Sequence, residues 1–181
     1  MLAESPVEVI WVRKSPLNDV IRKVAICGEN GLVTPDFSQF VTQVLETPKI
    51  IQDSMRWSDK GHPDHVHCNM PVFAPEKPQF RLRLTMTAHV RRLPRKCSFL
   101  LIMGERIFAL DVNPGMIHNN KQAGEKVDAT HWTTWPCEVV EPDNRDMVHQ
   151  QWFGRFLERA NINFYGMYER PPYLPDQMDM L

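Results

Sequence analysis

The chain has 181 residues, a formal net charge of −1, and 43% apolar and 24% charged residues; this ordinary globular mixture excludes wholesale disorder and, by charge alone, points to no polyanionic partner. A chain of this length buries about 70% of its unfolded surface as one domain, so a single compact domain over 1–181 is expected. Fifteen prolines, well above the usual share of ~5%, argue against a helical bundle and for strands and short helices joined by rigid turns.

The opening "MLAESPVEVIW" lacks the basic segment and the apolar run of ~7–15 residues that an export signal needs, and no apolar run approaches the roughly 18 residues that span a bilayer. A soluble cytoplasmic protein without membrane contact is expected. Cys27, Cys68, Cys97 and Cys137 are far apart and form no C-x-x-C pair. Neither a zinc ribbon nor a disulfide scaffold is indicated, and reduced thiols packed as small apolar groups are expected.

Along the chain, β-branched "VEVIWV" (7–12) predicts a strand and "DVIRKVAIC" (19–27) a second one, stopped by "GENG". In "PDFSQFVTQVLETP", Asp36 stands at an N-cap position, Phe37, Phe40, Val41, Val44 and Leu45 follow at helical spacing, and Pro48 closes a short helix. From there to Pro78 the sequence reads as irregular. This segment holds "SDKGHPDHVHCNM" (58–70), which packs three histidines and a cysteine into thirteen residues. In an extended backbone His65 and His67 point the same way, about 7 Å apart, and can share a metal ion. Asp64 and Cys68 then point away, so a third ligand has to arrive by folding from His62, His118, His131 or Cys137. The competing reading is a polar connector whose histidines hydrogen-bond carbonyls or carboxylates.

The clearest pattern is "FRLRLTMTAHV" (80–90), in which Phe80, Leu82, Leu84, Met86, Ala88 and Val90 alternate with Arg81, Arg83, Thr85, Thr87 and His89. It predicts a long half-buried strand with one polar face. Residues 79–104 contain no carboxylate, while Arg81, Arg83, Arg91, Arg92, Arg95 and Lys96 are all cationic. Guanidinium and hydroxyl donors in a row at strand spacing suit phosphate oxygens, and a solvated outer face is the plain alternative.

Next, "CSFLLIM" (97–103) and "RIFALDV" (106–112) predict a hairpin around Gly104-Glu105. A two-residue turn there sets Met103 opposite Arg106, Leu100 opposite Ala109, Phe99 opposite Leu110 and Ser98 opposite Asp111. Both faces are apolar, which places the hairpin at the centre of a sheet or under cover on both sides. Pairing Val90 with Cys97 would add His89 to the row of Ser98 and Asp111. A serine between the other two does not make a nucleophile, base and orienter, so the row reads as a hydrogen-bonded cluster, and a slip of one residue removes His89 from it.

"DVNPGMIHNN" reverses the chain and brings His118, Asn119 and Asn120. Beside His89 and Arg91 these would supply a general base, an anion clamp and oxyanion donors, enough for metal-free phosphodiester cleavage; an asparagine-rich surface turn is the alternative. "THWTTWPCEVV" predicts a further strand, with Trp132 and Trp135 either stacking on bases or packing in the core. "EPDNRD" then starts a helix capped near Asp143 or Asn144 and running to about Ala160, with Met147, Val148, Trp152, Phe156 and Ala160 on one side. From Glu138 onward eight carboxylates stand against four arginines. That excess either steers a partner or is neutralised by the basic middle of the chain. The prolines of 169–181 predict an extended tail.

The expected fold is α+β: a central, mostly antiparallel sheet with strands near 80–90, 97–103 and 106–112, joined by N-terminal strands and one at 131–140, with a short N-terminal and a longer C-terminal helix. No glycine-rich phosphate loop, G-x-S-x-G, H-E-x-x-H or EF-hand pattern occurs. Three functions are open. In the first, RNA, ahead of DNA, binds through Arg81, Arg83, Arg91, Arg92, Arg95 and Lys96, and His89 or His118 acts as acid or base in metal-independent cleavage while Arg91 clamps the phosphate. In the second, the protein is a non-catalytic module contacting a protein partner within a larger complex. In the third, His65 and His67 hold the metal of a hydrolase. No cofactor is expected.

Overall fold

Alternation of residue type sorts this chain into a two-layer α+β structure. The computed structural model describes residues 26–28, 31–33, 37–59, 61–91, 95–114, 117–120, 125–128, 130–134 and 140–173, with the backbone alone at 26–28, 31–33, 37–38, 117–120, 125–128 and 140. The strand expected at 7–12 lies outside the described residues. The first described elements are a small hairpin, β1 (Ile26–Gly28) against β2 (Gly31–Val33), followed by α1 (Phe37–Glu46) and β3 (Lys49–Ile51). There follow β4 (Ser58–Asp59), β5 (His65–Val72), β6 (Leu82–His89), β7 (Cys97–Met103) and β8 (Glu105–Val112). A separate hairpin of β9 (Ile117–Asn120) and β10 (Glu125–Asp128) precedes β11 (His131–Thr134), β12 (Val140–Pro142), α2 (His149–Arg159) and β13 (Ile162–Phe164).

Seven strands form one antiparallel sheet in the order β12-β11-β8-β7-β6-β5-β4, with β7 at its centre. Leu82, Leu84, Met86 and Ala88 of β6, Cys97, Phe99 and Leu101 of β7, and Leu110 and Val112 of β8 all turn to one buried face. On that face α2 lays Phe156 against Phe99, Phe108 and Trp132, with ring centroids 5.7, 5.3 and 6.3 Å apart, and Phe153 against Phe99. The buried residues of α1, Val41 and Val44, join the same apolar cluster. Among the described residues no helix is long and apolar enough to cross a membrane.

Four local expectations are corrected. The segment read as irregular contains the eight-residue strand β5, in which Val66, Cys68, Met70 and Val72 are buried in alternation with His65, His67, Asn69 and Pro71. Pro71 fits because β4 pairs only with Val66 and His67 and β3 meets this edge at Phe73, so position 71 falls between the two pairings. At the β7–β8 turn Met103 faces Glu105 and Ile102 faces Arg106; Gly104 alone turns the chain at φ 74°. A bulge beside Leu101 absorbs the extra residue, so both Ile107 and Phe108 are buried and Phe99 still meets Leu110. Third, Cys97 pairs with Ala88, not Val90, a shift of two residues that keeps every face but puts Thr87 opposite Ser98. Fourth, α2 starts at His149 rather than beside Asp143, and Val148, expected on the buried side, is 66% exposed as its N-cap. There Gln151 Oε1 accepts from Val148 N at 3.0 Å.

Buried polar groups tie the layers together. Lys49 is fully buried, and its Nζ donates to the carbonyls of Val44, Leu45 and Thr47 at 2.6, 3.1 and 2.5 Å, capping the C-terminus of α1. Burial brings its ammonium down to about 8. Trp132 donates from Nε1 to Asp143 Oδ2 at 2.9 Å, and Arg145 grips the same carboxylate through Nε at 2.6 Å and through Nη2. The Arg145 guanidinium, aided by Trp132, holds the Asp143 carboxyl at about 2. Arg159 makes a two-pronged pair with Glu141 at 3.0 and 2.7 Å and lies 4.4 Å over the Trp132 ring. His149 is sealed between Trp57 and Phe99 and its Nδ1 meets Tyr168 Oη at 2.9 Å; burial lowers its imidazole to about 4. Of the tail, residues 169–173 carry no helix or strand, and the Tyr173 ring sits 4.3 Å from the Arg95 guanidinium.

Replacing Lys49 with Met keeps the packing volume and strands three helix-end carbonyls; a loss of about 2–4 kcal/mol is expected in urea unfolding. A second expectation concerns acid. Because His149 is neutral when folded and protonates freely when unfolded, its folded pKa is depressed, and stability present above pH 6.5 is lost as pH falls to about 4. Between those limits the native protein should lose about 3 kcal/mol more than a His149→Gln variant, measured by denaturant unfolding at stepped pH. The Asp143 contribution should vanish only lower, between pH 3.8 and about 2.

Candidate functional site

The face of the sheet opposite α2 is polar at one end. Register sets a row across five strands there: His67, Thr87, Ser98, Asp111 and His131 are consecutive cross-strand partners. One step along the strands, His65 pairs with His89. A cleft of about 440 Å³ opens over this end, lined by His65, His89, Ser98, Asp111 and His131, with Lys96 and Arg106 at its sides. Its size is that of a small-ligand site.

Each lining group has a local cause. Strand alternation turns Ser98 and Asp111 away from the core because Cys97, Phe99, Leu110 and Val112 occupy the other face. Thr87 Oγ1 and Ser98 Oγ lie 2.6 Å apart, a hydroxyl pair on the floor. His131 Nε2 is 3.8 Å from Asp111 Oδ2. His65 stacks edge-on between His62 and His89, with ring centroids at 5.0 and 4.7 Å. Arg106 reaches the cleft because the bulge of β8 puts it on the outer face with Ile102. The Cys97 thiol, at the edge of the lining, is pushed up by burial and further by the Asp111 carboxylate, so it stays protonated.

The residues singled out from sequence divide as follows. His89 and Lys96 line the cleft. Arg91 stands outside that lining, its Nε 3.1 Å from Asp64 Oδ1. Arg95 is half-buried and donates weakly from Nη1 to the Val90 carbonyl at 3.4 Å. Arg81 and Arg83 are exposed before and within the start of β6, and Arg83 is in register, through Ile102, with Arg106, which lines the cleft. Arg92 lies outside the described residues. His118 sits on β9 opposite Val127, and only its backbone is described. His65 and His67 share the outer face as expected, with His67 Nε2 at 3.3 Å from Ser58 Oγ, while Cys68 is a free thiol in the core. Among the described residues no three His, Cys, Asp or Glu side chains are grouped to hold a metal ion. Trp132 belongs to the core, and Trp135 lies outside the described residues.

Reading the sequence missed His131, Arg106 and Thr87 as companions of Asp111. Alternation signals Thr87, but His131 joins only because β11 pairs with β8 across the β9–β10 hairpin. Of the carboxylates of the C-terminal half, Glu141 and Asp143 pair locally, with Arg159 and Arg145.

Three imidazoles, an ammonium, a guanidinium, a carboxylate and two hydroxyls around one cleft supply hydrogen-bond donors suited to an anion. No protein-family model matches this chain, and comparison with curated proteins and with solved structures found no similar protein. Inorganic phosphate added to the protein should shift the imidazole NMR signals of His65, His89 and His131 while leaving His149, sealed in the core, unmoved. Equal shifts at His149 would locate the anion elsewhere.

Proposed function

We propose that this protein binds single-stranded RNA along the outer face of its sheet, seating one phosphodiester in the cleft. The observation that carries this reading is the joint lining of one cleft by Lys96, Arg106, His65, His89 and His131, a donor-rich set suited to phosphate oxygens. Arg81 and Arg83 stand exposed further along β6. From Arg83 to His89 a strand spans on the order of 20 Å, enough for several backbone phosphates to meet cations at both ends. Ser98, Thr87 and Asp111 offer partners for a ribose 2′-hydroxyl, the group that separates RNA from DNA.

Among the described residues the outer face of the seven-stranded sheet carries no tryptophan, tyrosine or phenylalanine. Base stacking therefore contributes little, and the grip depends on phosphate contacts with low sequence selectivity. A protein-contact reading draws on other residues: Phe73, Tyr165 and Met167 are 50, 71 and 75% exposed and all flank the stretch around β3, where Phe73 pairs with Ile50 and Tyr165 N donates to the Ile51 carbonyl.

Fluorescence anisotropy with a labelled oligoribonucleotide separates the two readings. Four phosphate contacts give a log–log salt slope of about −3, so affinity should fall roughly 50-fold between 50 and 200 mM salt. Lys96→Ala and Arg106→Ala should each weaken binding and flatten the slope by about 0.7. Binding that is absent or indifferent to salt would overturn the RNA reading in favour of a protein partner.

A further inference from the structure

A carboxylate opposes the binding of phosphate, yet Asp111 stands in the lining of the cleft, the one carboxylate among the described residues there. Its side chain is 33% exposed. His131 Nε2 lies 3.8 Å from Oδ2, longer than a hydrogen bond, and among the described residues nothing donates a hydrogen bond to either oxygen. Asp111 therefore offers the cleft two acceptor oxygens with lone pairs to fill.

The neighbours of Asp111 narrow what can fill them. Ser98 is its cross-strand partner, and Thr87 is the partner of Ser98 on the other side. Thr87 Oγ1 and Ser98 Oγ, 2.6 Å apart, hold one hydrogen between them, so the pair keeps a second hydrogen for a third group. A ligand hydroxyl that donates to Asp111 can accept from this pair, whereas a phosphate oxygen in the same place meets a like charge. Lys96 and Arg106, also in the lining, supply positive charge for an anionic group elsewhere on that ligand. The cleft thus suits a molecule that carries hydroxyl donors and a phosphate side by side.

We infer that the cleft holds the 3′-terminal nucleotide of an RNA strand, a step that rests on the RNA-binding reading and names the part of the strand that is bound. In that nucleotide the 2′- and 3′-hydroxyls are vicinal and both free. Each donates to one oxygen of Asp111, the same charge-assisted bond by which an acidic side chain holds a ribose hydroxyl in dinucleotide sites. One of them accepts from the Thr87 and Ser98 pair, while the phosphodiester on the 5′ side meets Lys96 and Arg106. A nucleotide inside the strand fits less well on two counts. Its 3′-oxygen is esterified and donates nothing, and its 3′-phosphate is brought against the carboxylate. Asp111 is thereby a specificity-determining residue that selects a free ribose end over the strand interior.

The test measures the affinity of the full-length protein, at one salt concentration, for 5′-labelled oligoribonucleotides of one sequence that end in a free 2′,3′-diol, a 3′-deoxyribose or a 3′-phosphate. The diol strand should bind at least about tenfold more tightly than either of the others, the loss expected when one charge-assisted hydrogen bond is removed. Charge alone ranks the ends differently, because the 3′-phosphate strand is the most negative and gains most from cations. Asp111→Ala should abolish the preference for the diol. Parity of the diol strand with either modified strand on the native protein, or tighter binding of the 3′-phosphate strand, would overturn the end reading and leave RNA binding standing. A preference that persists undiminished in Asp111→Ala would overturn the role given to Asp111. Failure to bind all three strands would remove both readings. The ranking of the ends is read on the native protein, so a variant that misfolds does not spare the inference.

Discussion

Side chains on β5 to β8 change face with every residue, and the apolar half of that alternation fixes where everything else goes. Leu84, Met86, Phe99, Leu101 and Leu110 are completely buried, each contributing about 1.5–3 kcal/mol relative to exposure. A slip of one residue in any of these strands would turn that set to water, at a cost several times the ~1 kcal/mol of a typical hydrogen bond on the polar side. The polar residues of the outer face therefore gather where they do because the core leaves them no other place. Thr87, Ser98, Asp111 and His131 share a row for the same reason that Met86, Phe99, Leu110 and Trp132 share one beneath.

A second constraint is the pairing of charge at the sheet edge. The C-terminal half carries an excess of carboxylates, and two that border the core are matched within that half: Asp143 by Arg145 and Trp132, Glu141 by Arg159. Arg159 also covers Trp132, so the network closes the sheet edge at β12. Lys49 and His149 solve the opposite problem, polar groups within apolar surroundings. The lysine keeps its charge by giving all three protons to carbonyls, whereas the histidine surrenders its charge and keeps one partner, Tyr168.

Much of the fold was legible because it is local. The 3.6-residue spacing of Phe40, Val41 and Val44 announces α1, the two-residue spacing of 80–90 announces β6, and paired apolar runs around Gly104 announce the central hairpin. β5 was hidden because histidines and Pro71 interrupt its apolar count, although its alternation is complete. The start of α2 was hidden because Asp143 resembles a helix cap and spends its oxygens on Trp132 and Arg145 instead.

For the candidate site, the sequence by itself determined membership of a face: a period of two decides that Arg83, Thr87, His89, Ser98 and Asp111 leave the core, whatever the register. Tertiary structure alone decided the neighbours. Ala88 rather than Val90 meets Cys97, and His131 reaches Asp111 because β11 passes over a whole hairpin to join β8. Periodicity is a property of consecutive residues, whereas register and strand order are set by packing between segments far apart in the chain, where no local pattern records them.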